Sequence, residues 1–399
     1  MKSSFIKVLI GSILFVKFTL GICQTLAPIE VTYHIKEKNM QEISGLIADS
    51  LSEHGNYTFW ALGDGGAPAK LYKYELRNLD SFTISQENQE DTALLLDSTT
   101  FLNASNIDWE ELSHSNSHIF IGDFGNNNGN RTNLRIYRFK RAKLGSKNVS
   151  VDTLHISYSR QIDFSSQRFH PWDCEAMYWK NDSLVLLSKG LFNSKIYIYT
   201  IPDQPGHYSI EPSDSFQSTQ LITGASIKLG GGSNFPDLVG YNFNSSFKLN
   251  SVFGLLQKPF KNYWTSDPSE KLREPHQLES IATPIIPLPV LQMAYATEKY
   301  DGKNARIYLH GVFGSSKQNI KQIEVSLYPN PVSSDLHLTL NTQASGRLII
   351  SDMQGEWIKN MPIEHGSHLI DVAALPKGVY LLNLYAINFA PYSQIFIKQ

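Results

Sequence analysis

One short cluster recurs along the first three-quarters of the chain, each time as acidic or small residues with an apolar residue two places after the centre. The copies are Glu42-Ile-Ser-Gly-Leu46, Asp108-Trp-Glu-Glu-Leu112, Asp173-Cys-Glu-Ala-Met177, Leu221-Ile-Thr-Gly-Ala225 and Gln277-Leu-Glu-Ser-Ile281. With Ser44, Glu110, Glu175, Thr223 and Glu279 as equivalents, the intervals are 66, 65, 48 and 56 residues, irregular but of one size range. Most copies are followed by an apolar run that ends in a polar turn: Tyr57–Asp64, His118–Asp123, Ser183–Ser188 and Leu291–Thr297. A second run then alternates aromatic and polar residues, as in Lys70-Leu-Tyr-Lys-Tyr74, Arg135-Ile-Tyr-Arg-Phe139, Lys195-Ile-Tyr-Ile-Tyr199 and Arg306-Ile-Tyr-Leu-His310. Such period-2 alternation marks half-buried strands.

Units of this size with several antiparallel strands are the signature of propeller blades. The segment 29–39 reads as one further strand that completes the last blade and removes an open sheet edge. The fourth unit keeps the order poorly around Gly230-Gly-Gly-Ser-Asn234, so the count is five or six blades. The fold class expected is therefore all-β, with aromatics at 12% and Gly and Pro throughout. Past a polar stretch at 314–323 come short alternating strands, Asp335–Leu340, Gly346–Ser351, Gly378–Leu384 and Ser393–Ile397, which argue for a small immunoglobulin-like antiparallel sandwich. The domains expected are a leader at 1–23, a propeller at 24–313, a linker at 314–323 and the terminal sandwich at 324–399.

Lys2 and Lys7 followed by the apolar run Val8–Val16 give residues 1–23 the layout of a secretory signal peptide, with cleavage after Cys23. The competing reading is a lipoprotein acylated on Cys23, for which Ile22 is bulky. If Cys23 leaves, Cys174 is the only thiol and no intramolecular disulfide forms. No other apolar run reaches the length of a transmembrane helix. Basic and acidic residues balance at 35 against 37, which argues against nucleic-acid and anionic-membrane partners.

The segment from 324 resembles the C-terminal sorting domain of type A cargo of the type IX secretion system of Bacteroidota. The residues that carry the resemblance are Tyr328, Pro329, Asn330 and Pro331, Gly355 in the turn Asp352-Met-Gln-Gly355, Gly378 and Tyr380 in Leu375-Pro-Lys-Gly-Val-Tyr380, and Lys398. The resemblance implies export through the periplasm, recognition by the type IX machinery at the outer membrane, and release or surface attachment. Separately, Glu42–Leu46, Trp60-Ala-Leu-Gly-Asp-Gly-Gly66 and Leu71-Tyr72 resemble the blades of a class that includes NHL-like, strictosidine-synthase-like and phytase/esterase-like propellers. That class holds calcium-dependent hydrolases as well as pure binding modules.

The expected site is the set of repeated acids, Asp108, Glu110, Asp173, Glu175 and Glu279. If these stand at the start of the innermost strands they gather at one mouth of the channel, where like charges need compensation. Either a hard cation such as calcium supplies it, or each acid caps a turn or bonds backbone N–H groups between blades. Asp64-Gly-Gly66 and Asp123–Asn130 read as turn chemistry. His170-Pro-Trp-Asp-Cys-Glu175 lacks the spacing of a zinc site and an activating base for its thiol. His276 is the general-base candidate, and no Gly-x-Ser-x-Gly elbow is present. The function expected is binding of an unidentified ligand or glycan by a secreted or surface-attached propeller. The alternative is a calcium-dependent hydrolase or lyase acting on a small ester, phosphoester or sugar.

Overall fold

The near-continuous apolar runs at 58–62, 119–121 and 184–187 are strands covered on both faces, and every residue in them is buried. The computed structural model describes residues 29–49, 52, 56–77, 89–191, 194–218, 220–227, 236–243, 249–255, 277–283, 291–299, 302–311, 323–352, 357–386 and 392–399. The leader 1–23, Gly230–Gly232, His276, Gly355 and the linker short of Ile323 lie outside them.

The chain opens with β1 (Ile29–His34) and builds a first sheet from β2 (Ile43–Ala48), β3 (Tyr57–Gly63) and β4 (Lys70–Leu76). The short β5 (Gln89–Thr92) leaves this sheet before β6 (Leu94–Thr100) returns to its outer edge. The second sheet is β7 (Trp109–His114), β8 (His118–Asp123), β9 (Arg135–Lys140) and β10 (Asp152–Tyr158). In the third unit, β11 (Cys174–Lys180), β12 (Ser183–Ser188) and β13 (Lys195–Pro202) are followed by an excursion, β14 (Gly206–Ile210), and then by β15 (Asp214–Gln217). The fourth sheet holds β16 (Leu221–Ser226), β17 (Asp237–Phe243) and β18 (Leu249–Leu255). The fifth holds β19 (Leu278–Ala282), β20 (Leu291–Thr297) and β21 (Arg306–Gly311).

Two devices close this set into a ring. The N-terminal β1 pairs antiparallel with β21, Val31 opposite Leu309, as the sequence pattern expects. The excursions each step back one sheet: β5 runs parallel to β1 in the fifth sheet, and β14 runs parallel to β10 in the second. The hydrophobic core is correspondingly divided into wedges between successive sheets. Trp60, Leu62, Leu112, Ile121 and Tyr137 fill the first, and Phe120, Ile136, Met177, Leu186 and Tyr199 the second. Leu187, Ile198, Ile222 and Leu238 fill the third, and Val239, Ile281 and Tyr295 the fourth. Val31, Ile43, Phe59, Ala294 and Ile307 pack the fifth sheet against the first. The result is a propeller-like arrangement whose first strands β2, β7, β11, β16 and β19 neighbour one another in a closed cycle.

The terminal domain is a separate antiparallel β unit of β22 (Val325–Tyr328), β23 (Asp335–Asp352), β24 (Trp357–Asp371), β25 (Gly378–Ala386) and β26 (Tyr392–Lys398). Where the sequence suggests two strands at 335–340 and 346–351, one long strand runs through, with a register break between Leu340 and Ser345. Its first half pairs with β22 and its second half with β25, while β24 follows it along both. Leu336, Leu338, Leu348, Leu382, Leu384 and Phe396 share the resulting core. Among the described residues no helix is long and apolar enough to cross a membrane.

Candidate functional site

Each first strand carries one register shift against its neighbour, and the shifts fall between Ile43 and Gly45, Trp109 and Glu111, Cys174 and Ala176, Ile222 and Gly224, and Leu278 and Ser280. The skipped residues are Ser44, Glu110, Glu175, Thr223 and Glu279, the five equivalents of the sequence repeat. A bulge of this kind leaves one residue out of the ladder and re-aims its side chain. Two of the five bind the next sheet directly: Ser44 Oγ donates to Trp109 O at 2.6 Å, and Thr223 Oγ1 donates to Leu278 O. The other three are buried carboxylates.

These carboxylates are joined by acids at the two flanking positions. Asp108 and Asp173 precede their bulges by two residues, while Asp64 and Glu298 stand just after the second strands β3 and β20. Asp64, Asp108 and Glu110 each offer an oxygen, and those oxygens lie within 4.8 Å of one another. Glycines admit the backbone beside them. A Cβ on Gly125 would meet Glu110 Oε1 at 2.0 Å and Asp108 Oδ2 at 2.6 Å, and one on Gly65 would meet Asp108 Oδ1 at 2.8 Å.

Burial, reinforced by Asp108, Glu175 and Glu42 and opposed by the Gly65 N–H, lifts the Asp64 carboxyl to about 7. Burial also raises Asp108 against the pull of Arg131, and it raises Glu110 well above the carboxylate range, with Glu175, Asp64 and Asp108 adding repulsion. Arg131 Nη1 comes no nearer to Asp108 Oδ2 than 4.0 Å, because its guanidinium is engaged by Asp123 Oδ1 at 2.8 Å and Gly125 O at 2.6 Å.

The third and fifth sheets are balanced differently. Lys189, just after β12, donates to Glu175 Oε1 at 2.8 Å. Burial works against its ammonium, but Glu175, Tyr241, Asp173 and Glu279 hold it protonated well above its ordinary range. Asp173 is nevertheless lifted to about 7, by burial and then by Glu175. Its Oδ1 accepts the Asn126 N–H at 2.8 Å, whereas its Oδ2 and Glu279 Oε1 are buried without a hydrogen-bond partner. Burial and Glu298 raise Glu279, and burial, Asp64 and Glu42 raise Glu298 to about 8.

The structure thus brings together the acids singled out in the sequence and adds Asp64, Glu298 and Lys189 to them. Asp64 keeps its turn role, since its Oδ1 accepts the Gly65 N–H. Its second role arises from a neighbouring sheet, which the local sequence does not reveal; a position repeated just after the second strand was the available signal. Glu111, next to Glu110, is a different kind of acid. It is buried and accepts the N–H groups of Leu112 and Ala225, each at 2.9 Å, and the Ser280 hydroxyl at 3.4 Å. The 170–175 run gathers no metal set among the described residues. Cys174 is buried and accepts the Tyr158 hydroxyl at 3.2 Å, and burial raises its thiol, which makes it unreactive.

In the terminal domain the Asn330 side chain acts as an extra peptide group against β26, donating to Ile395 O at 3.0 Å and accepting the Ile397 N–H at 2.9 Å. Val332 continues the pairing alongside Lys398. Tyr328 stacks on His337, and Tyr380 stacks on Phe396 while its hydroxyl donates to Pro376 O at 2.7 Å. Residues 326–398 match the family of secretion system C-terminal sorting domains. The terminal domain is a type IX sorting domain. A sorting domain of this kind implies contact with the secretion machinery and a secreted or cell-surface location.

No curated protein matches the chain. Among solved structures, the chain is similar to an exo-β-1,3-galactanase from Phanerochaete chrysosporium, at 8% identity and a TM-score of 0.36, over 93% of this chain and 96% of that one. It is similar to a PQQ-bound aldose sugar dehydrogenase from Streptomyces coelicolor at 10% identity and a TM-score of 0.37, over 71% and 98%. A third is the catalytic domain of an α-L-arabinofuranosidase from Coprinopsis cinerea, at 9% identity and a TM-score of 0.33, over 70% and 96%. Likeness at these scores carries nothing about the chemistry of this chain.

Proposed function

We propose that this protein is an exported five-bladed propeller that binds a hydroxyl-rich ligand, a glycan or small polyol, over the acidic mouth of its ring. A signal peptide at 1–23 starts the export and an immunoglobulin-like sorting domain directs it. The observation that supports this reading is the convergence of Asp64, Asp108, Glu110, Asp173, Glu175, Glu279 and Glu298 on one end of the ring, from four of its five sheets. Carboxylates are acceptors that hydroxyl groups satisfy. The segment that leads to Asp173 carries the exposed Phe169 and the half-buried Trp172, flat apolar surfaces of the kind that cover a sugar face.

A second reading, hydrolysis or elimination at the same mouth, draws on one further feature. Asp64, Asp173 and Glu298 have carboxyls lifted to between about 7 and about 8, where a group can both hold and release a proton near neutrality. The test is a glycan-array and calorimetric screen of the full chain, run beside turnover assays on chromogenic esters, phosphoesters and glycosides. Saturable sugar binding without turnover fits the first reading, turnover abolished by Asp64→Asn fits the second, and neither result would sink both.

A further inference from the structure

We infer that His155 and His207 form a binding site for one divalent transition-metal ion, of the class that imidazole ligates, on the two outermost strands of the second sheet. The two residues stand directly opposite each other in the parallel pairing of β10 with β14. Their rings stack 4.4 Å apart at an interplanar angle of 9°, and both side chains are exposed. Stacked rings hold their lone pairs side by side, so a shared ion requires each ring to turn about its side-chain bonds, and exposure leaves room for that. Neighbouring strands lie about 4.7–4.9 Å apart, close enough for one nitrogen of each turned ring to reach the distance of about 2.0–2.1 Å that imidazole keeps from zinc.

What sets this pair apart from other histidines of the ring is its lack of partners. His34 bonds Glu90, His114 meets Arg141, His118 meets Ser117, and His170 accepts the Trp172 N–H. None of the four ring nitrogens of His155 and His207 has a hydrogen-bond partner among the described residues. The charged group facing them is Arg135, the register partner of His155 on β9, and its guanidinium is engaged by Asp123 Oδ2 at 2.9 Å and Ser105 Oγ at 3.1 Å. Partial burial, then His207 and Arg135, hold the His155 imidazole below its ordinary range, so it is neutral near pH 7 and its lone pair is available. A donor set of two imidazoles suits copper, nickel or zinc and not calcium or magnesium.

The place of the pair gives such an ion a mechanical role. β14 is the excursion that leaves the third unit, and it is anchored on one face alone: Tyr208 and Ile210 pack with Leu154 and Ile156, whereas His207 and Ser209 face solvent. An ion held by both rings fastens that free face to β10 and so ties the third unit to the second from outside. The site lies at the opposite edge of the sheet from β7, which carries Glu110, and it stands independently of the ligand reading above.

The experiment is calorimetric titration of the full chain, free of any added histidine tag, with zinc chloride at neutral pH. Melting temperature and amide hydrogen exchange along 206–210 are followed in parallel. Wild type is expected to bind one zinc ion at this pair, to melt higher when loaded, and to exchange more slowly along β14. Copper(II) is expected to bind more tightly than zinc. His155→Gln and His207→Gln are each expected to weaken binding by more than about 10-fold, whereas His368→Gln, at an exposed histidine of the terminal domain, leaves it unchanged. Both ring positions are exposed, and circular dichroism of each variant separates a lost ligand from a lost fold. Lowering the pH to about 5 protonates both imidazoles and is expected to release the ion. No saturable heat from wild type would overturn the site, as would zinc binding that survives both ring substitutions or persists at about pH 5.

Discussion

Around Glu111 the ring supplies donors from four first strands, whereas around Glu110, one residue earlier, it supplies other carboxylates. Glu111 takes the N–H of Leu112 on β7, of Met177 on β11 and of Ala225 on β16, and the hydroxyl of Ser280 on β19. Its oxygens serve as a hub that ties the second to the fifth sheets across the channel. Glu110, turned out of the ladder by its bulge, meets Asp64 and Asp108 instead. Adjacent buried acids can therefore have opposite roles, and the number of donors each receives decides which one holds the fold and which one is held ready for a partner.

That contrast is broken most severely at the hub. Replacing Glu111 with Ala leaves buried N–H groups on separate sheets without acceptors, at about 1–3 kcal/mol each, so a loss of about 4 kcal/mol is expected in chemical denaturation of the ring. Next comes Lys189→Met, which strands the buried Glu175 carboxylate beside Asp173 and Glu279. Breaking a buried pair in this way is expected to cost about 2–4 kcal/mol, with some relief because the lysine side chain keeps 12% of its surface exposed.

A pH titration sharpens the comparison without any substitution. Asp173 and Glu298 have folded-state carboxyls at about 7 and about 8, above their unfolded values near 4. Such groups bind protons more tightly when folded, so their contribution is fully present below about pH 4 and is lost as the pH rises through 7 and 8. The melting temperature of the ring should fall across that window. A melting temperature that climbs over the same window would contradict the clustering of the acids. The smallest effect is expected at Glu110→Gln, which removes one of several repelling carboxylates. Stability should change by less than about 1 kcal/mol and in the favourable direction, opposite in sign to Glu111→Ala.

Much of this was legible in the sequence, for physical reasons that differ from place to place. The five equivalents Ser44, Glu110, Glu175, Thr223 and Glu279 were visible because one backbone device, a bulge at the start of each first strand, recurs at the same point of every unit. The sorting motif was legible because Asn330 and Tyr380 make geometry-bound contacts, one across to β26 and one back to the turn before β25, that few other side chains could make. Asp64, Glu298 and Lys189 were not, since what distinguishes them is a neighbour from another sheet. The excursion strands β5 and β14 were missed because they are short and weakly apolar, and pair in parallel with strands far away in the chain. In the terminal domain β24 escaped notice for a related reason: its Lys359, Asn360 and Pro362 interrupt the alternation that marks a half-buried strand.

The most direct test of the account is a crystal structure of the full chain at neutral pH. The account predicts carboxylate oxygens of Asp64, Asp108 and Glu110 within 4.8 Å of one another, beside a Glu111 that accepts the N–H groups of Leu112 and Ala225. Glu110 held in the ladder with its carboxylate away from Asp64 and Asp108, or Glu111 without those donors, would contradict it.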